Sequence, residues 1–305
     1  MSIPVPQRLL PARLAAHQHL KSMRYLAMGL IGRGAPLLAA ITGRRRPGAG
    51  GEAGVLRVLM YHRVNPRRVD HFTTPPGRLQ RHLDLLVRGY RPITPAMLLA
   101  AIRQGTPLPE RAVLLTFDDS SAEHLEHAYP ILRARGLEAL LFIPTGLVRE
   151  PGHDPAGYPE DAGLDWAQLR RMRDVFTIGS HGVSHQAMTV LPRADAAAEI
   201  TDSKRVLEER LGEPVWSFAY PYGSHGAFDD ELEVVVRSAG YAASFTTVPG
   251  PITAGQLRSG SALRRQGAEP LSRLALGRVL DGSCDLVQGA VAERRARAVR
   301  SPVTG

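Results

Sequence analysis

The chain is nearly without cysteine. Its 305 residues hold one, Cys284, which excludes an internal disulfide framework and a cysteine-rich zinc site. A disulfide-free protein works in any compartment, so this scarcity does not locate it. Acidic residues are missing from positions 1–50, which carry eight Lys and Arg and no Asp or Glu. The stretch 291–305 holds four Arg and one Glu. These two ends contribute +8 and +3 to a net charge of +9, so the body between them is slightly acidic. The sequence pI of 10.3 therefore belongs to the ends. A nucleic-acid enzyme more often carries such charge on its folded face, so no nucleic-acid partner is expected.

Long hydrophobic runs are also missing. Tyr25 to Ile41 is apolar but short, and Gly32, Arg33, Gly34 and Pro36 interrupt it. That excludes a good transmembrane span, and an apolar region this late and this broken makes a poor signal peptide. No G-x-G-x-x-G follows an apolar strand, which speaks against dinucleotide binding. No internal repeat is visible.

What is present is a soluble, globular composition, 44% apolar and 22% charged, with enough length to bury a full core. Three regions are expected: a basic arm and linker over 1–50, a catalytic domain over 51–290 and a basic tail over 291–305. In the arm, Arg13, His17, Lys21 and Arg24 recur at helical spacing, and Leu20, Met23, Ala27 and Leu30 recur on another face. That pattern suits either a basic amphipathic helix at an anionic membrane surface or a loosely docked arm. Arg44-Arg45-Arg46 and the Gly-rich run after it read as a linker.

The body alternates apolar strands with amphipathic helices. Strands are expected at 55–61, 112–119, 138–143, 175–178, 216–219, 241–246 and 263–266. Helices are expected at 75–88, 95–103, 121–135, 165–172, 193–211, 229–238 and 272–280. The stretch 149–163 reads as a surface loop. Alternation of this kind predicts parallel βα units, and seven or eight strands favour a barrel over an open sheet.

The stretch AVLLTFDD, Ala112 to Asp119, organises the rest. Its apolar residues read as a buried strand, and it ends in two adjacent carboxylates, Asp118 and Asp119. Two carboxylates at a buried strand end are costly unless a positive partner sits beside them. A helix N-cap needs only one of them. The other polar candidates, His62, His181 and Tyr220 to Gly223, also fall just past predicted strand ends, which in a barrel converge on one face. His181-x-x-x-His185 has spacing that lets two imidazoles meet one ion, on a helical turn or in a tight loop. Alone this is weak, since His17/His19 and His124/His127 are also close pairs. Asp119 completes a set of two histidines and one aspartate with positions left for water and substrate, a set suited to hydrolysis.

Together LTFDD (115–119), SHGVSH (180–185) and FAYPYG (218–223) resemble the successive motifs of the polysaccharide deacetylases, the NodB-homology group, carbohydrate esterase family 4. VLMYHRV (58–64) and FIPTG (142–146) are similar to the branch that contains poly-N-acetylglucosamine deacetylases. The resemblance runs in order from about Val55 to Gly282. It implies an α/β fold, a distorted (β/α) barrel of about seven units, one divalent metal ion that is usually zinc, and release of acetate from N-acetylated sugars of a glycan. It implies Asp119, His181 and His185 as metal ligands, Asp118 as general base and His62 as general acid. It also implies the Tyr222 backbone N–H as an oxyanion donor and Trp166 as a wall of the acetyl pocket. Tyr220 and one of Arg264 and Arg265 are counted with the pocket.

Three departures stand out. Ser120 replaces the usual glycine, and Ala219 the motif arginine. No histidine follows His225, which favours His62 as the acid. Strand alternation lets only one of Arg264 and Arg265 face inward to replace the missing arginine. Two rival readings remain at this point. A glycan-binding module without turnover is suggested by Ser120 and Ala219, and a deacylase of a small or lipid-linked amide by the arm. Location is left between the cell envelope or a membrane surface and the cytoplasm.

Overall fold

The protein is described by a computed structural model that covers residues 56–68, 70–150, 163–285 and 287–290. The basic arm, the C-terminal tail and most of the 149–163 loop lie outside these residues. So do the expected amphipathic helix and its membrane contact. No helix of the described residues is long and apolar enough to cross a membrane.

The described residues form ten strands: β1 (Leu56–Tyr61), β2 (Arg63–Val64), β3 (Thr73–Thr74), β4 (Arg91–Pro92), β5 (Ala112–Asp118), β6 (Ala139–Ile143), β7 (Phe176–Ser180), β8 (Ser217–Ala219), β9 (Ala243–Phe245) and β10 (Gln266–Gly267). The main sheet runs β10-β1-β5-β6-β7-β8-β9, with β4 against the start of β5, and every pairing in it is parallel. One segment then joins the two edges. Leu263 N–H donates to Ser244 O, on β9, and Arg265 N–H to Val248 O, just past it, while Ala268 N–H donates to Met60 O, on β1. The sheet is thereby curled into a distorted (β/α) barrel, as expected.

The central strand explains its own sequence. In β5, Val113, Leu115 and Phe117 join the core that packs under the helices Pro76–Gly89, Arg193–Leu211 and Arg273–Leu280. Ala112 and Leu114 join a second cluster with Leu140, Phe142, Trp216 and Phe245 inside the barrel. Both faces are buried, so the strand reads as an unbroken apolar run. The same alternation turns Thr116 and Asp118 inward.

Two local differences from expectation matter for the site. The helix expected over 121–135 is a π-helical turn, His124–Ala128, followed by the α-helix Tyr129–Arg133. Tyr129 N–H bonds to His124 O, and Pro130 beside it has no N–H to continue the regular ladder. A helix that periodicity alone does not reveal spans Ala254–Ser259, opened by a capping box between Thr253 and Gln256.

Candidate metal centre and active site

All the strand ends that carry predicted site residues lie on one face, because the strands are parallel. Asp119, just past β5, and His181 and His185, just past β7, each offer one ligand atom within 4.8 Å of the others. The His181 and His185 rings meet edge to face, with centroids 4.9 Å apart. His181 Nδ1 lies 2.7 Å from Ala219 O. A carbonyl only accepts, so Nδ1 carries the proton and the Nε2 lone pair is left for the cluster. Burial pushes the His181 imidazole down to about 4, against the pull of Asp118, so it stays neutral near pH 7.

His185 Nε2 lies 3.2 Å from Asp119 Oδ1, yet that buried oxygen has no hydrogen-bond partner. Burial raises the Asp119 pKa, but the neighbouring histidines, His185 first, hold the carboxyl well below the usual range. An ionised, unsatisfied oxygen facing two imidazole nitrogens is the donor set a divalent cation takes. The residues present therefore fit a metal ion.

The pair of histidines sits in a tight loop, not on a helical turn. Gly182 has φ 77° and His185 φ 60°, values that no α-helix contains. Asp119 (φ 74°) and Tyr222 (φ 62°) share this left-handed conformation, so three of the five non-glycine residues with positive φ among the described residues cluster here. Such backbone strain is characteristic of functional sites. The FIPTG stretch has a structural use in this loop: Thr145 and Gly146 N–H groups bond to the carbonyls of Gly182 and Val183. A Cβ at position 146 would lie 2.8 Å from Val183 O, which requires the glycine.

Beside the cluster lies a chain of paired charges. Arg265 clasps Asp118 with both ends of its guanidinium, Nη1 to Oδ1 at 2.5 Å and Nη2 to Oδ2 at 2.8 Å. The pair is buried, with side chains 0% and 2% exposed. Burial works against the Asp118 charge, but Arg265, then His181 and His62, hold its carboxyl below the usual range. His62 Nε2 stands 4.0 Å from Asp118 Oδ2, and its Nδ1 is 2.6 Å from Glu269 Oε1. Burial disfavours the imidazolium, yet the Glu269 hydrogen bond and charge, with Asp118 and Asp119, carry its pKa up to about 9. His124 Nε2 lies 2.7 Å from His62 O, and the exposed Phe72 ring meets the His62 ring edge-on, 5.0 Å between centroids.

The register of the LRR stretch is thus resolved by geometry. Arg265 points inward to Asp118, while Arg264 lies against Gly250, where a Cβ would meet its Nη1 at 3.0 Å. Arg265 supplies the cation that Ala219 cannot, and the Ala219 backbone carbonyl orients His181. The Ser120 hydroxyl is occupied outside the cluster, on Leu147 O at 3.1 Å. Tyr222 is exposed and its ring lies 5.4 Å from that of His185. Among the described residues no acceptor takes its N–H.

Tyr220 and Trp166 are placed differently from their expected pocket positions. Tyr220 is buried in the helix-facing core, stacked on Phe228. Trp166 opens the helix Trp166–Arg171, donates its indole N–H to Glu150 and lies under Arg210. Neither these two nor Arg264 has a hydrogen bond, ion pair or ring contact with the cluster. Glu269 is the site residue that sequence reasoning misses. It is buried past β10, and Arg78 holds its backbone carbonyl at 2.7 Å.

Comparison with known proteins agrees with this arrangement. The family profile described as polysaccharide deacetylase matches residues 105–244. The chain is 25% identical over 230 residues to YxkH of Bacillus subtilis (strain 168), a protein named after the same family, covering 75% of this chain and 74% of that one. It is 28% identical over 143 residues to the poly-beta-1,6-N-acetyl-D-glucosamine N-deacetylase of Staphylococcus aureus (strain MRSA252), covering 43% of this chain and 46% of that one. Among solved structures, IcaB from Ammonifex degensii superposes with TM-score 0.64 at 24% identity, over 76% of this chain and 98% of that one. The deacetylase PplD of Streptococcus pyogenes gives the same score and identity over 74% and 97%. At that identity these two likenesses speak for the fold. The profile match runs from before the Asp118-Asp119 strand to β9 and takes in both histidines, and through it the chain carries a polysaccharide deacetylase domain.

Proposed function

We propose that the protein is a metal-dependent N-deacetylase that removes acetyl groups from an N-acetylhexosamine-containing glycan, with polymers of N-acetylglucosamine as the first class to test. The Staphylococcus aureus relative, of which this chain spans under half, supports that class by its name. One observation carries the reading. A three-ligand cation cluster, Asp119, His181 and His185, adjoins a buried carboxylate and an imidazole 4.0 Å apart that can divide the base and acid roles.

A divalent cation such as zinc, held by Asp119, His181 and His185, would supply Lewis-acid polarisation of the amide and acidify water. The chain's own residues do the rest. Asp118, kept ionised by Arg265, takes a proton from the water that adds to the acetyl carbonyl carbon. The Tyr222 N–H steadies the developing oxyanion. His62, charged through Glu269, gives a proton to the departing nitrogen, the C–N bond breaks, and acetate and a free amine remain.

Two features bear on the rival of a glycan-binding module without turnover. The Ser120 side chain is occupied elsewhere, and Arg265 replaces the arginine that Ala219 lacks. Incubation with zinc and chitooligosaccharides or poly-N-acetylglucosamine fragments should release acetate. Asp118→Asn should abolish release while zinc stays bound, and full activity in that variant rules out the role given to Asp118. Peripheral membrane contact through residues 1–50 belongs to the same proposal. Liposome flotation with and without those residues tests it.

A further inference from the structure

The loop that carries both histidines is tied at three of the four peptide groups between them. Gly182 N–H reaches the Ser180 hydroxyl at 3.3 Å, and the carbonyls of Gly182 and Val183 accept from Thr145 and Gly146. The next two N–H groups, of Val183 and Ser184, converge on a single oxygen. Glu199 Oε2 accepts them at 2.7 and 2.9 Å. Two successive N–H groups aimed at one point form an anion-binding concavity, and here the chain's own carboxylate fills it.

Glu199 comes from the helix Arg193–Leu211. One turn later the same helix presents Ser203, whose hydroxyl lies 2.7 Å from that of Ser180, just before His181. Ile200, Leu207 and Leu211 bury the helix against the core, so its face is fixed. The fit is close: a Cβ at position 182 would lie 2.8 Å from Met188 Cε and 3.0 Å from Glu199 Oε2. The left-handed turns at Gly182 and His185 need such support, because nothing in a strained loop favours one geometry unless its surroundings impose it.

We propose that Glu199 is a positioning residue of the metal centre, which sets cation affinity by fixing the loop between His181 and His185. Its carboxylate bonds to the loop backbone and to none of the three ligand side chains. The proposal rests on the reading that Asp119, His181 and His185 hold a cation.

The test is an equilibrium titration of the full metal-free chain with zinc, against a competing chromophoric chelator. Wild type, Glu199→Ala, Glu199→Gln and His181→Ala are compared. Glu199→Ala should bind zinc about 10–100-fold more weakly, the range for groups that orient metal ligands. Its metal-free melting temperature should stay close to that of wild type. Glu199→Gln keeps an oxygen where both N–H groups converge, so it should lose clearly less than Glu199→Ala. A purely structural residue would lower the melting temperature and leave zinc affinity in place. If Glu199→Ala does not fold, Glu199→Asp, too short to reach both N–H groups, replaces it under the same criterion.

The inference is overturned if the truncated variant binds zinc within twofold of wild type while His181→Ala abolishes binding. Equal losses in the Ala and Gln variants overturn it too. A wild-type chain that binds no zinc, or one unaffected by His181→Ala, sinks the metal reading itself.

Discussion

The two halves of the site are built on opposite electrostatic plans. Around Asp118 every charge has its partner: Glu269 with His62, His62 beside Asp118, Asp118 with Arg265. Around Asp119 the balance is open. His181 is held neutral, and a buried carboxylate oxygen has no hydrogen-bond partner. Buried charges are tolerated only when paired or when they coordinate a metal; the first half is paired, and the second has the donor set a metal takes. The paired half is complete within the chain. On the proposed reading the open half takes a cation from outside, which would give the adjacent aspartates different chemistry.

The largest expected effect separates those aspartates. Asp118→Asn should lower kcat by about 10²–10⁴, the usual loss when a general base is removed, with bound zinc unchanged. Asp119→Asn should lose zinc as well as turnover. Metal analysis alongside acetate release distinguishes the two, and equal zinc loss in both variants would erase the comparison. Next in size is Arg265→Leu, which leaves a buried, unpaired carboxylate and should destabilise the fold by about 3–5 kcal/mol in denaturant unfolding. Replacing both partners, Arg265→Leu with Asp118→Leu, should recover most of that stability, because the desolvation of two charges is relieved together.

A smaller, pH-dependent effect tests the acid. His62 must carry its proton to deliver it, so activity should fall as pH rises through about 9. Glu269→Gln weakens the main support of that charge, and the falling limb should move down toward the ordinary imidazole value of about 6.5. At pH 8 the variant should be much slower than wild type and at pH 6 nearly equal. The same raised pKa favours the folded state fully below about 6.5 and loses that contribution as pH rises through about 9. A limb that stays in place would assign the acid to another group.

How far these halves are legible in the sequence follows from the range of the interactions. Asp118, Asp119, His62 and His181 can be read because they close apolar runs whose burial is local information, and His185 because of its spacing from His181. Glu269 cannot, since its place beside His62 depends on a contact 207 residues apart in the chain and on Arg78 from the helix Pro76–Gly89. Nor can Glu199, one acid on a helix whose exposed face carries several. The choice between Arg264 and Arg265 needs the register of a short segment bonded to both sheet edges. Tyr220 and Trp166 show the converse limit: a motif position indicates the chain's course, while the ring's direction is set by packing against Phe228 or Arg210.

The smallest expected effect tests whether the open half is open for the reason given. Ser120 follows Asp119 directly, and its hydroxyl donates to Leu147 O at 3.1 Å. Leu164 N–H in turn donates to Ser120 O, so the residue ties the strand end to two neighbouring loops. Ser120→Gly removes one neutral hydrogen bond and adds backbone freedom beside the strained Asp119. The expected loss of stability is about 1–2 kcal/mol, read by urea unfolding, with zinc affinity and acetate release within a few-fold of wild type. A large gain in activity would show instead that the serine crowds the cation cluster. Asp119 would then owe its unsatisfied oxygen to steric exclusion and not to a ligand role.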